Sequence, residues 1–278
     1  MWDPFTSNNS SREDNKLNRR SCLKGLGTAG ATLATGLTAA SGTAAATSEW
    51  SYMVQKGLAE ETPVHVVAGE GYGPTVMVVG GMHGDEPAGY NSAARIARWN
   101  IKSGRLMVIP EACKPAVRKG NRLSDRSGDG NLQDLNREFP AGKTPWSPLA
   151  RGIWNVVADK DIDFLLDLHS SSGLYKWGNG GGVGQGIFAT NAGEADQVRR
   201  RLQSYLNDGF IDNDTYKFTG ATAGEDGSKR MLKHKVGADL NTPAILFETY
   251  RGLSDERQET LTTSAVYNVC RRKGMFDK

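Results

Sequence analysis

The stretch VMVVGGMHGDEPAGYNSAARIARWN, from Val76 to Asn100, decides how the chain is read. Its first four residues form an apolar, valine-rich run with strand character. The run stops at Gly80-Gly81, and a helical pattern begins around Pro87. A buried strand, a tight turn and a helix in that order belong to an α/β sheet, and such sheets bind ligands beyond the carboxyl ends of their strands. His83, Asp85 and Glu86 occupy that turn. A histidine and a carboxylate three residues apart, delivered to a sheet edge, call for a partner from elsewhere in the chain.

The same alternation continues outward from this unit. Strands are predicted at Val64–Val67, Thr75–Val79, Arg105–Ile109, Phe164–Leu168, Gly186–Thr190 and Ala244–Thr249. Helices are predicted at Pro87–Trp99, Trp146–Lys160, Gly193–Asp208, Lys229–Gly237 and Ser254–Lys273. With no internal repeat and no convincing linker, the expectation is one α/β domain: a central mixed, mostly parallel twisted sheet with helices on both faces.

The first 46 of the 278 residues read differently. Arg19-Arg20 stands in NRRSCLK, an uncharged Gly/Ala/Thr/Leu run follows as far as Glu49, and Ala44-Ala45-Ala46 offers a small-residue cleavage site. This is the order of a twin-arginine export signal, with Cys22 where such signals usually carry Phe. Residues 1–46 are therefore expected to be signal and disordered N-terminus, and residues 47–278 a catalytic domain that is extracellular, periplasmic or at the cell surface. Setting aside the five basic and three acidic side chains of the signal leaves 29 basic and 28 acidic ones. That balance provides no basic footprint for nucleic acid. No other stretch is long and apolar enough for stable membrane insertion of the mature chain, and oligomeric state is not legible.

Two segments are loops by composition, Lys119–Gln133 (KGNRLSDRSGDGNLQ) and Trp177–Gly186 (WGNGGGVGQG). The first has Asp125, Ser127 and Asp129 at calcium-loop spacing, but Asn136 stands where a bidentate Glu is required. The second runs into GQGIFA, which lacks the preceding strand and following helix of a dinucleotide fingerprint. Cys113 and Cys270 could pair in an oxidising compartment or remain buried thiols. His65 and His234 read as core or loop histidines.

His169 supplies the missing partner. It closes DFLLDLH, a second apolar strand that stops at a polar turn. His83, Glu86 and His169 then make a two-histidine, one-carboxylate set, which leaves a zinc position open for catalysis. A third strand, PAILFETY, brings Glu248 as a general base. Adjacent Asn136 and Arg137 can hold a terminal carboxylate, and Arg122 or Arg118, with Arg122 favoured, can stabilise an oxyanion. Ser170, Ser171 and Ser172 lack a Gly-x-Ser-x-Gly elbow and are a turn.

HGDE at 83–86, DLNREFP at 134–140, DLH at 167–169 and Glu248 resemble the motifs of the zinc metallocarboxypeptidase superfamily, and the wording is closest to its succinylglutamate desuccinylase/aspartoacylase branch. The resemblance covers Thr75 to Thr249. It implies a zinc-carboxypeptidase-like fold, one Zn²⁺ per chain on His83, Glu86 and His169, catalytic Glu248, Asn136 and Arg137 on a substrate carboxylate, and an arginine on the scissile carbonyl. The implied activity is hydrolysis of an amide bond next to a free carboxylate in a small peptide, or alternatively deacylation of an N-acyl-amino acid. An inactive binding module of the same fold is a further alternative. Thirty residues follow Glu248, where the deacylase branch usually carries a β-rich domain, so a more open, peptidase-like site is expected.

Overall fold

Eight strands form one sheet in the computed structural model, which describes residues 48–126, 129–175, 182–222 and 230–277. The strands are β1 (Ser48–Val54), β2 (Thr62–Ala68), β3 (Gly71–Val79), β4 (Ser103–Ile109), β5 (Phe164–Ser171), β6 (Gly186–Ala189), β7 (Thr219–Thr222) and β8 (Ala244–Tyr250), in the spatial order β1-β2-β4-β3-β5-β8-β6-β7. Strands β4, β3, β5 and β8 are parallel. The flanks reverse direction: β2 is antiparallel to β4 and to β1, and β6 is antiparallel to β8. All of this belongs to one compact unit, Thr43–Lys278.

The central strands are near-continuous apolar runs because both faces of the sheet are covered. Alternation along each strand divides the core. Val76, Val78, Leu166, Leu168 and Phe247 pack with α1 (Pro87–Ile96), α4 (Ala195–Phe210) and α6 (Asp255–Arg272). Met77, Val79, Leu165 and Ala244 pack on the other face with α2 (Lys114–Lys119), α3 (Pro148–Asp159) and α5 (Leu232–Leu240). Asp167, His169, Leu246 and Glu248 share the parity of Leu165 and Ala244, so their side chains emerge on the α5 face.

The chain leaves β3 through α1 to reach β4 on one side, whereas β5 pairs with β3 on the other. The crevice between the carboxyl ends of β3 and β5 is therefore a topological switch point. His83 and Glu86 follow β3, and His169 lies within β5, which runs on past Leu168 to Ser171.

The predicted fold class holds, with additions. The edge strands β1 and β7 were not expected: SEWSYMV is mostly exposed, and TGAT has no large apolar residue. Helix α2 has only six residues, too short for a periodic signal. The helix expected from Trp146 starts at Pro148, where Ser147 caps it by accepting the Ala150 N–H at 3.1 Å. Cys113 and Cys270 are both buried and free, so no disulfide joins them. The expected export signal, Ser127, Trp177–Gly181 and Lys229 lie outside the described residues.

Candidate functional site

Two glycines shape the turn that carries His83 and Glu86. Gly81 adopts a left-handed φ of 67°, which a glycine reaches without steric cost. A Cβ on Gly84 would lie 2.0 Å from the Ala116 carbonyl oxygen, so this backbone can rest on α2 only without a side chain. Glu86 occupies the N-cap position of α1 but makes no side-chain cap. Both of its carboxylate oxygens turn inward instead.

Glu86 is the hub of the site. Its Oε1 lies 2.8 Å from His83 Nδ1 and its Oε2 lies 2.8 Å from His169 Nδ1. Oε2 also accepts the Ser170 N–H at 3.2 Å, while Oε1 accepts from Arg122 Nη1 at 3.1 Å and Arg251 Nη2 at 3.2 Å. The ligating atoms that His83, Glu86 and His169 offer all lie within 4.8 Å of one another, and all three residues are buried. In the parallel pair β5·β8, His169 stands directly beside Glu248.

The far side of each imidazole faces a carboxylate. His83 Nε2 lies 2.9 Å from Asp134 Oδ1. His169 Nε2 lies 3.0 Å from Asp167 Oδ1 but out of line for a hydrogen bond, and 3.1 Å from Asn136 Nδ2. A ring that gives its Nε2 proton to a carboxylate keeps Nδ1 bare, and bare Nδ1 is what a metal takes. Asp167 and Asn136 favour opposite tautomers of His169, and the Asp167 contact is the one compatible with a metal. Asp167 is fully buried with no hydrogen-bond partner for either oxygen among the described residues, and Glu248 Oε2 is likewise without one. Two imidazoles, one carboxylate and buried acceptors behind them fit a zinc ion with part of its coordination left open.

The electrostatics follow from burial and proximity. Burial would raise the Glu86 pKa, but the charges and hydrogen bonds of His169 and His83 outweigh it and hold the carboxyl well below its usual range. Burial also opposes a charge on His169, yet Asp167 and Glu86 raise its pKa well above the ordinary imidazole value. For Asp134, burial is overcome by His83, Arg122 and Arg137, and the pKa falls to about 2. Glu248 moves the other way. Burial, reinforced by Glu86 and Asp167, raises it to about 8 against the opposing charges of His169 and Arg122.

A cavity of about 430 Å³ opens beside this cluster, lined by His83, Glu86, Arg122, Asn136, Arg137, His169 and Glu248. Every residue proposed from the sequence thus converges on one cavity, with the exception of Arg118, which is exposed and absent from its lining. Asn136 is 1% exposed and its amide is engaged: Oδ1 accepts the Leu232 N–H at 3.1 Å and Nδ2 faces His169. Arg137 is partly exposed, with Nη1 donating to the Asn136 carbonyl at 2.8 Å.

The sequence reading missed several contributors. Arg251, three residues beyond Glu248, donates to Asp85 Oδ2 at 2.9 Å as well as to Glu86. Lys233 and His234 also line the cavity, so His234 is a wall of the site rather than an ordinary core histidine. Asp134 and Asp167 stood within quoted motifs, and their position two residues from Asn136 and His169 was the available signal.

Comparison with known proteins agrees with this geometry. A family model described as the catalytic part of a carboxypeptidase controlling helical cell shape matches residues 43–179. Among solved structures, the mDAP-bound form of Helicobacter pylori Csd4, a D,L-carboxypeptidase, superposes with a TM-score of 0.61 at 17% identity, over 73% of this chain and 51% of that one. The fold is zinc-carboxypeptidase-like. A succinylglutamate desuccinylase from Silicibacter shares this zinc-carboxypeptidase-like fold with a TM-score of 0.55 at 19% identity, over 78% of this chain and 62% of that one. In sequence, 113 residues are 35% identical to the N-alpha-acetyl-L-2,4-diaminobutyric acid deacetylase of Halomonas elongata, 39% of this chain and 31% of the deacetylase. The chain thus spans about a third of that curated relative and half to two thirds of the solved ones. The expected resemblance to this superfamily, near its desuccinylase branch, holds.

Proposed function

We propose that the chain hydrolyses an amide bond next to a free carboxylate, in the manner of a carboxypeptidase. One observation carries the reading: His83 and His169 converge through Nδ1 on Glu86, in a cavity that also holds buried Glu248 and Arg137. His83, Glu86 and His169 would hold one zinc ion, which when bound supplies a Lewis acid that polarises a carbonyl and makes water nucleophilic near neutral pH. Glu248, whose ionised form would be favoured by a cation held on His83, Glu86 and His169, takes the proton of the attacking water and returns it to the leaving amine. Arg122, now 3.1 Å from Glu86 and 3.3 Å from Asp134, turns to the developing oxyanion. Arg137 anchors the substrate carboxylate, and Asn136 joins it by releasing the His169 ring. Fixing that carboxylate makes the attack effectively intramolecular.

The identity to an acetyl-amino-acid deacetylase supports a second reading with the same chemistry, N-acyl-amino-acid deacylation. A zinc titration followed by assays on a free-acid peptide, its C-terminal amide and an N-acetyl amino acid tests both. Cleavage of the free-acid peptide is expected. Cleavage of the N-acetyl amino acid alone would favour deacylation, and zinc binding without cleavage of any of the three would overturn both readings. We also propose, from Arg19-Arg20 and Ala44-Ala45-Ala46, that residues 1–46 direct export by the twin-arginine route.

A further inference from the structure

Two arginines reach the same oxygen of Glu86, and they are held differently. Arg122 Nη1 lies 3.1 Å and Arg251 Nη2 3.2 Å from Oε1. Among the described residues, Arg122 has one other partner, Asp134 at 3.3 Å, and its side chain is 42% exposed. Arg251 is engaged through all three guanidinium nitrogens. Nη1 donates to Asp85 Oδ2 at 2.9 Å, Nη2 to Glu86, and Nε to the Ser170 carbonyl at 3.2 Å and the Ser170 hydroxyl at 3.3 Å. Its main chain is pinned as well: its N–H donates to the Ser171 carbonyl at 2.9 Å, which carries the β5·β8 pairing one residue past the end of β8.

Ser170 completes the arrangement. It is 2% exposed, and while its carbonyl and hydroxyl accept from Arg251, its N–H donates to Glu86 Oε2 at 3.2 Å. Each oxygen of Glu86 is therefore met by a donor fixed at the end of β5 or β8, although the Glu86 backbone belongs to the start of α1 and its side chain makes no cap there. The terminal torsion of a glutamate is broad, so its own backbone leaves the carboxylate plane open. The sheet ends supply that orientation from outside the turn.

We propose that Arg251, with Asp85 as its counter-ion, is a positioning residue that fixes the Glu86 carboxylate for metal binding. The inference rests on the zinc reading above and adds to it two residues that do not touch the ion. A carboxylate that holds a metal needs hydrogen-bond partners of its own to keep its orientation. A lone guanidinium in that place would repel the cation, and Asp85, at 2.9 Å, offsets its charge. Arg122 can then leave Glu86 for the oxyanion without releasing the carboxylate.

Metal affinity and the visible spectrum of the cobalt(II)-loaded protein test this without turnover, since cobalt absorption follows the arrangement of its ligands. Arg251→Met should weaken zinc binding about ten-fold or more and shift the cobalt bands. Arg251→Lys, which keeps the charge and a donor, should recover part of both. Asp85→Asn should weaken binding in the parent and add little in the Arg251→Met background, because Asp85 acts through the guanidinium. Melting of the metal-free proteins checks folding, and Arg251→Gln serves in place of the methionine variant if that one does not fold. A merely structural ion pair would lower the melting temperature and leave affinity and spectrum alone. A folded Arg251 variant with zinc affinity within about two-fold of the parent and an unchanged cobalt spectrum, or additive losses in the double variant, would overturn the proposal and leave the zinc reading standing. A parent that binds neither metal would overturn both.

Discussion

Removing Asp134 should weaken zinc binding without removing a ligand. Its carboxylate holds His83 Nε2 at 2.9 Å, accepts the Asn136 N–H at 2.9 Å and faces Arg122 Nη2 at 3.3 Å. Of these contacts, only the first acts on a metal donor: it fixes the imidazole in the tautomer that leaves Nδ1 bare. Loss of such a partner costs about 10- to 100-fold in metal affinity, or about 1.4–2.7 kcal/mol. Asp134→Asn keeps an oxygen acceptor but removes the charge, which roughly halves the strength of the bond. The asparagine variant should therefore lose about 3- to 10-fold and the alanine variant the full amount. Competition with a chromogenic chelator at neutral pH measures both, and melting of the metal-free proteins checks that each variant folds. Affinities within two-fold of the parent for both folded variants would refute the idea that Asp134 orients His83 for a metal.

Four further outcomes are expected. Glu248→Gln should retain zinc but lose about two or more orders of magnitude in turnover, measured on whichever amide substrate the parent cleaves. Because burial raises the Glu248 pKa to about 8, the native metal-free protein holds that proton more tightly than the unfolded chain. Its stability should fall as pH rises from the unfolded carboxyl value through 8, by at most about 1.4 kcal/mol per unit. Glu248→Gln should flatten that fall in paired melting curves, and identical pH dependence of the two would count against a protonated Glu248. Arg137→Ala should cost about 2 kcal/mol or more in kcat/KM on a free-acid substrate. It should cost little on the C-terminally amidated one, since both changes delete the same contact, and additive losses would show that Arg137 anchors something else. Arg19→Lys combined with Arg20→Lys should leave the chain inside the cell on fractionation, and unchanged export would exclude the twin-arginine route.

The candidate cluster was legible because its residues stand where strand patterns end, and a strand end is a position that sequence periodicity marks. His83, Glu86, His169 and Glu248 each follow or close an apolar run, and three parallel strands bring those runs to one edge. Contributors without such a mark were missed. Arg251 follows β8 in an unpatterned turn, and its reach to Asp85 and Glu86 spans about 165 residues of sequence. Lys233 stands among Lys, His and Lys in a short helix, a composition that reads as a solvated face. Only the packing of α5 on β5 and β8 reveals that it is interior. The same limit hid β1 and β7, whose places come from pairing with a neighbour rather than from an apolar pattern of their own.

Glu86 and His169 meet across 83 residues of chain. His83 and Glu86 ride on a turn, whereas His169 is woven into the middle of the sheet, so the two halves come together only after β5 has docked beside β3. An unfolded or half-made chain has no converged trio to offer an ion. A bound metal would then act as a clasp on the finished sheet, drawing its affinity from native structure and returning that free energy as resistance to opening. Occupancy would report that folding is complete, and stripping the ion should loosen the β3–α1 turn before it disturbs the strands behind it.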